Sequence, residues 1–190
     1  AALVSNSSNQ AGDISVEAHG NISVNGNISS QGEIGGGNIT LNSQQGAIAT
    51  TAPLVSNGSN QAGDILLNAS ENLSVNRNIR SEGEIGGNIT LNSENGAIAT
   101  TAHLVSNGIN QAGDISVEAS GNLSVNGNIH SSGEIGGGNI TLNSQQGAIA
   151  TTAALVSNSS NQAGDISVEA HGNISVNGNI ASQGEIGGGN

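Results

Sequence analysis

Residues Gly12–Ile28 read GDISVEAHGNISVNGNI. The stretch returns as GDILLNASENLSVNRNI from Gly63, GDISVEASGNLSVNGNI from Gly113 and GDISVEAHGNISVNGNI from Gly164, at intervals of 51, 50 and 51 residues. Self-similarity at such a period marks a stacked repeat architecture, in which one unit cannot bury its apolar face without its neighbours. Within the stretch, Ile14-Ser-Val16 and Ile22-Ser-Val24 alternate apolar with polar residues, the period of a half-buried strand.

The intervening sequence repeats the same pattern. Gly37–Leu54, GNITLNSQQGAIATTAPL, aligns under it with Ile14 and Val16 over Ile39 and Leu41, Ile22 over Ile48, and Ile28 over Leu54. Each 51-residue repeat is therefore two similar coils of about 25 residues, each holding three short strands. Between the strands lie corners rich in Gly, Asn and Ser, which turn the chain through permissive dihedrals or local side-chain bonds. A hairpin meander would make successive strands antiparallel neighbours. Like residues fall over like residues only if successive coils stack parallel. The pattern predicts an all-β fold, a right-handed parallel β-helix. The 25-residue coil favours that hand, since the left-handed form follows a hexapeptide rhythm that is absent here. Residues 1–190 then form a single β-solenoid segment of roughly seven and a half coils, near 36 Å long at about 4.8 Å per coil.

Substitutions among the repeats sort inward from outward positions. Ile22, Leu73, Leu123 and Ile174 exchange only aliphatics, as do Val16, Leu67, Val117 and Val168. Ser15 becomes Leu66, Gly26 becomes Arg77, and Ser29 becomes Arg80, His130 or Ala181. The expected stacking core comprises Ile14, Val16, Ile22, Val24, Ile28, Ile39, Leu41, Ile48, Leu54, Ile65, Leu67, Leu73 and Val75. The site occupied by Ala2, Pro53, His103 and Ala154 must be a corner, because proline cannot donate to a ladder. Gly86-Gly87 stands where other repeats read GGG, a deletion expected to fall between coils.

Composition agrees with a narrow, uniform core. The chain has no Phe, Tyr, Trp, Met or Cys, 30 glycines and one proline. Disorder is disfavoured, because the aliphatics alternate strictly and only 8% of residues are charged. Without cysteine there is no disulfide framework. No apolar run approaches the roughly 20 residues of a membrane helix. Two basic residues against a net charge of −12 argue against nucleic-acid binding.

The acidic residues form columns: Asp13, Asp64, Asp114 and Asp165 in one, Glu33, Glu84, Glu134 and Glu185 in another. Members of a column lie two coils apart, near 9.6 Å, where repulsion in water is about 0.4 kcal/mol. Solvated charge is the first expectation for them. Calcium bridging is the sharper alternative, weakened by one carboxylate per site against the oxygen shell Ca²⁺ prefers. Otherwise no cofactor is expected. The Asn-Ile corner amides (Asn21, Asn27, Asn72, Asn78, Asn122, Asn128, Asn173, Asn179) form columns that can bond along the axis, but bonds within their own corners are the first expectation. His19, His103, His130 and His171 read as isolated surface residues, and Arg77 and Arg80 as surface partners of Glu71 and Glu82. The Thr50-Thr51, Thr100-Thr101 and Thr151-Thr152 pairs do not form a continuous ladder, because Val24-Asn25 and its equivalents intervene. The sequons at Asn21, Asn38, Asn72 and Asn139 follow from the alternation itself. No catalytic grouping is legible, and an enzyme is not expected.

The units GDISVEAHGNISVNGNI and GGGNITLNSQQGAIATT are similar to repeats of filamentous-haemagglutinin-type exoproteins, above all the GGNITL…GAI arrays of cyanobacterial members. The resemblance covers the whole chain. It implies a right-handed β-helix exported by a two-partner pore and displayed or released as a long fibre, with adhesion or matrix building as the usual role. The expected function is thus an extracellular structural fibre or surface-adhesin shaft. A calcium- or glycan-binding module using outward Asp/Glu and Asn/Thr columns is the alternative. Residues 1–38 and 153–190 differ only at Ser29 and Ala181. The expected partner is therefore the protein itself, as a slice of a longer array or as short chains stacked end to end or bundled. Surface glycans or cells come second.

Overall fold

The computed structural model describes residues 1–190 as an all-β, right-handed parallel solenoid of about seven coils. Twenty-two strands build three parallel sheets of eight, seven and seven strands, each running the length of the rod. One coil places a five-residue strand on the first face (Leu3–Ser7), another on the second (Ile14–Ala18) and a three-residue strand on the third (Ile22–Val24). The chain then returns to the first face at Ile28–Gly32.

Register follows the repeat alignment. Ile14 pairs with Ile39, Val16 with Leu41, Ile22 with Ile48 and Ile28 with Leu54. Backbone pairing extends into the corners: of 125 backbone–backbone hydrogen bonds, 58 lie outside the strand ladders and connect one coil to the next. Corners are therefore stacked as firmly as strands, which suits a buried backbone that must satisfy its polar groups.

The core is one continuous aliphatic cluster. Ile22, Val24, Ile28, Ile39, Leu41, Ile48, Leu54, Ile65, Leu67, Leu73 and Val75 are buried in it, while Ile14 and Val16 pack against it partly buried. Those two belong to the first coil, which has a neighbour on one side only. Each fully buried Leu or Ile contributes about 1.5–3 kcal/mol relative to exposure. Not every aliphatic turns inward. Ile34, Ile85, Ile135 and Ile186 stand exposed at the corner between first and second faces; at Ile34, Ile135 and Ile186 the chain has already left the strand, and Ile85 is the last residue of the one that runs on.

Two features of the interior go beyond the expected aliphatic stack. Ser30, Ser56, Ser81, Ser106, Ser131 and Ser157 are fully buried on the first face. Each hydroxyl joins two coils: Ser106 Oγ donates to Gly87 O at 2.9 Å and accepts from Gly113 N at 2.9 Å. Ser56 does the same with Gly37 and Gly63, and Ser131 with Gly113 and Gly138. Thr50, Thr100 and Thr151 also point inward, in the column of Val24 and Val75. The threonine pairs thus divide between core and surface, with Thr51 and Thr152 donating outside to the amide oxygens of Asn25 and Asn126.

The missing glycine of the second repeat is absorbed at the corner after the first-face strand. That strand runs on from Ile79 to Ile85, with a register shift between Gly83 and Ile85. Ile85 then bridges to Gln61, the position Gly35 holds one repeat earlier. Downstream, Ile89 regains in-register pairing with Ile65 and Ile115.

Candidate functional site

The acidic column at the start of the second face is a structural seam. Asp13 Oδ1 accepts the N–H of Asn38 at 2.7 Å, and Asn38 Oδ1 accepts that of Asp64 at 2.8 Å. The chain of bonds continues through Asn88, Asp114, Asn139 and Asp165 to Asn190, each side chain capping the backbone directly above it. Asp13, Asp64, Asp114 and Asp165 therefore do more than solvate the rod: one carboxylate oxygen of each is committed to the next coil. Substitution Asp114→Asn should leave the thermal midpoint nearly unchanged, because the acceptor survives. Asp114→Ala should cost about 1 kcal/mol by urea denaturation. Equal loss in both would mean that the charge matters, not the bond.

Five of the eight corner amides behave in the same way, against the expectation of bonds within their own corners. Asn21 Oδ1 accepts from Ala47 N, Asn72 from Ala97 N and Asn122 from Ala148 N, at 2.8–2.9 Å. Asn78 and Asn128 accept from His103 N and Ala154 N. A short side chain in register beneath a free N–H meets it more directly than it can meet its own turn. The proline position follows from this geometry. Pro53 lies above Asn27, where the N–H it lacks would meet a side chain and no strand ladder.

The second acidic column, Glu33, Glu84, Glu134 and Glu185, lies on the corner beside the exposed isoleucines. In the coils between stand Ser59, Ile109 and Ser160. Glu84 accepts from Asn110 Nδ2 at 2.7 Å. Nowhere do three His, Asp or Glu side chains converge as a metal-holding group.

The histidines are less isolated than their spacing suggests. His19 Nδ1 lies 3.0 Å from Gln44 Oε1, and His103 Nδ1 accepts the N–H of Asn128 at 3.0 Å. Arg80 and Glu82 form an exposed ion pair at 3.2 Å, worth little in water. His130 sits on the outer first face between Val105 and Val156. Its partial burial disfavours the charged imidazole and lowers its pKa from the usual 6.5. As pH falls through 6.5 the unfolded chain takes up the proton first, so stability drops until the folded imidazole also titrates. Between pH 7.5 and 5.5 the thermal midpoint of the wild type should therefore fall further than that of His130→Ser, the residue found at the equivalent Ser29. Parallel declines would remove His130 from the account.

Compared with known proteins, the chain matches no family model, no curated protein and no solved structure.

Proposed function

We propose that this chain is a structural shaft segment, a non-catalytic rod of stacked coils serving an extracellular fibre or surface adhesin. The observation that supports it most is the coil-to-coil bonding. Backbone ladders on three faces, the Asp/Asn seam and the inward serines use the same bonds in coil after coil. A solenoid whose units bond identically has no intrinsic length limit, and its stability adds up through neighbour interfaces. The resemblance of its repeats to filamentous-haemagglutinin-type exoproteins supports the extracellular setting and self-association as the first partner.

Electron micrographs of the native protein should show straight rods, with an axial rise of about 4.8 Å per coil and about 9.6 Å per two-coil unit. Discrete compact particles without rods would overturn the proposal. Protease or antibody accessibility on intact cells tests the location, and protection until lysis would overturn it.

A further inference from the structure

The repeats differ at scattered outward positions, and three of these departures converge on the first face. Arg80 and His130 stand where other repeats have Ser29 or Ala181, and His103 where they have Ala2, Pro53 or Ala154. Arg80 pairs with Val105, and Val105 with His130, in successive strands, while His103 immediately precedes the middle one. Together they line a pocket of about 300 Å³, near the lower end of the range for small-molecule sites. Beside it runs a longer groove of about 900 Å³ whose carboxylates are Glu82, Glu134 and Glu185.

Two independent observations give the pocket the opposite character. No Asp or Glu lines it, in a chain with 14 acidic and two basic residues. Its side-chain acceptors are also taken, while its donors are free. Asn78 Oδ1 accepts from His103 N at 3.2 Å and Asn128 Oδ1 from Ala154 N at 3.1 Å. Only an amide oxygen can accept a backbone N–H, so both amide orientations are set and both nitrogens are left without a partner in the protein. His103 Nδ1 accepts from Asn128 N at 3.0 Å, which puts the neutral ring's proton on Nε2 as a further donor. The Asn107 oxygen has no accessible surface, so that residue can offer the pocket only its nitrogen. Glu82 engages one nitrogen of Arg80 at 3.2 Å, and the remaining guanidinium donors are uncommitted.

A pocket of free donors calls for a ligand of acceptors, and an anion answers the guanidinium. The walls of Val105 and Val156 call for a carbon skeleton beside the charge. The net charge of −12 repels a polyanion, which leaves a ligand of single charge. We propose that this pocket binds a small carboxylate of the sugar-acid class. Its carboxylate meets the Arg80 guanidinium and the His103 and His130 imidazoles. Its hydroxyl oxygens accept from the Asn78 and Asn128 amides, and its ring carbons lie against Val105 and Val156. The pocket does not depend on the shaft role, so failure of either leaves the other standing.

Sodium glucuronate is the probe, titrated into the 190-residue chain at fixed pH and physiological ionic strength, with proton NMR of the imidazole C–H groups as the readout. Without Phe, Tyr or Trp, the four histidines supply every aromatic C–H signal of the chain. The expected result is saturable shifts of His103 and His130, with His19 and His171 unmoved. In Arg80→Ser the affinity should fall about tenfold or more, the scale of one charge-assisted hydrogen bond. Arg77→Gln removes the same charge outside the pocket lining and should change affinity by no more than about twofold. Both arginines are exposed, and thermal melting checks that each variant keeps its fold. Absence of saturation, or equal weakening in both variants, would overturn the proposal. Equal affinity for glucose would remove the carboxylate from it, and the same shifts with sodium sulfate at the same concentrations would reduce the pocket to a bare anion site; either overturns it. A disaccharide ending in glucuronate separates the two sources of the ligand: tighter binding than the free acid supports a glycan end, and weaker binding supports the free acid.

Discussion

Gly113→Ala should be among the most damaging single substitutions in the chain, lowering stability by about 3 kcal/mol or more. Its added Cβ would lie 2.5 Å from both the carbonyl carbon and oxygen of Gly87 in the coil beneath. The same near-contact recurs down the column, with Gly138 over Gly113 and Gly164 over Gly138. The obstacle is backbone, and that backbone is fixed on either side by ladder bonds, so neither partner can yield cheaply. No glycine here adopts a positive φ. The cost is thus one of space alone. Gly20→Ala, in the first coil with no coil beneath it, is the control: nothing lies within 4 Å of its Cβ, and reduced freedom of the unfolded chain should stabilise it by about 0.4–1 kcal/mol. Thermal and urea melts of the two variants settle the matter. Similar midpoints would mean that the coils can spread at this corner.

Ser106→Ala is the second. It deletes the hydroxyl that joins Gly87 O to Gly113 N and leaves both backbone groups buried without a partner. At about 1–3 kcal/mol for each unsatisfied group, partly relieved by water entry, the loss should be about 2–4 kcal/mol. Ser124→Ala, on the outward side of the third face, should stay within about 0.5 kcal/mol. The readout is the urea midpoint at unchanged slope, with faster hydrogen exchange at the Gly113 amide. An exchange rate matching that of the wild type would show that another acceptor takes the proton.

Both effects arise in the same corner, where the glycine column and the serine column interlock. The first-face serine follows the inward aliphatic by two residues in all eight first-face strands, from Ser5 to Ser182. Strand parity alone would have turned it inward. Composition hid it, because a small polar residue in a loop-rich sequence reads as turn material. Thr50 was legible in the same way, from its alignment under Val24. The Asp/Asn seam was visible as alternation of Asp13, Asn38, Asp64 and Asn88, yet two residue types that share a geometry also share a preference for ordinary turns. Only the position of the N–H above each oxygen separates the two roles.

The exposed isoleucines went the other way. Ile34 and Ile135 carry the residue type of the core, but the preceding strands end at Gly32 and Gly133, and two residues later the side chain meets solvent. Of the groove beside them, only the Glu134 and Glu185 column was legible. The groove brings Glu82, Asn107, Glu134 and Glu185, separated by about a hundred residues in all, to one side of the rod, because a pitch near 25 residues per coil stacks them.

The sequence by itself determined the parallel stack, the register and the aliphatic core, because a period-2 pattern inside a 51-residue repeat allows only one way of laying like over like. The tertiary structure decided where the polar atoms go. Whether Asp114 is solvated or bonded, whether Ser106 is turn or core, and whether Gly113 is dispensable depend on distances between successive coils, which no linear pattern carries.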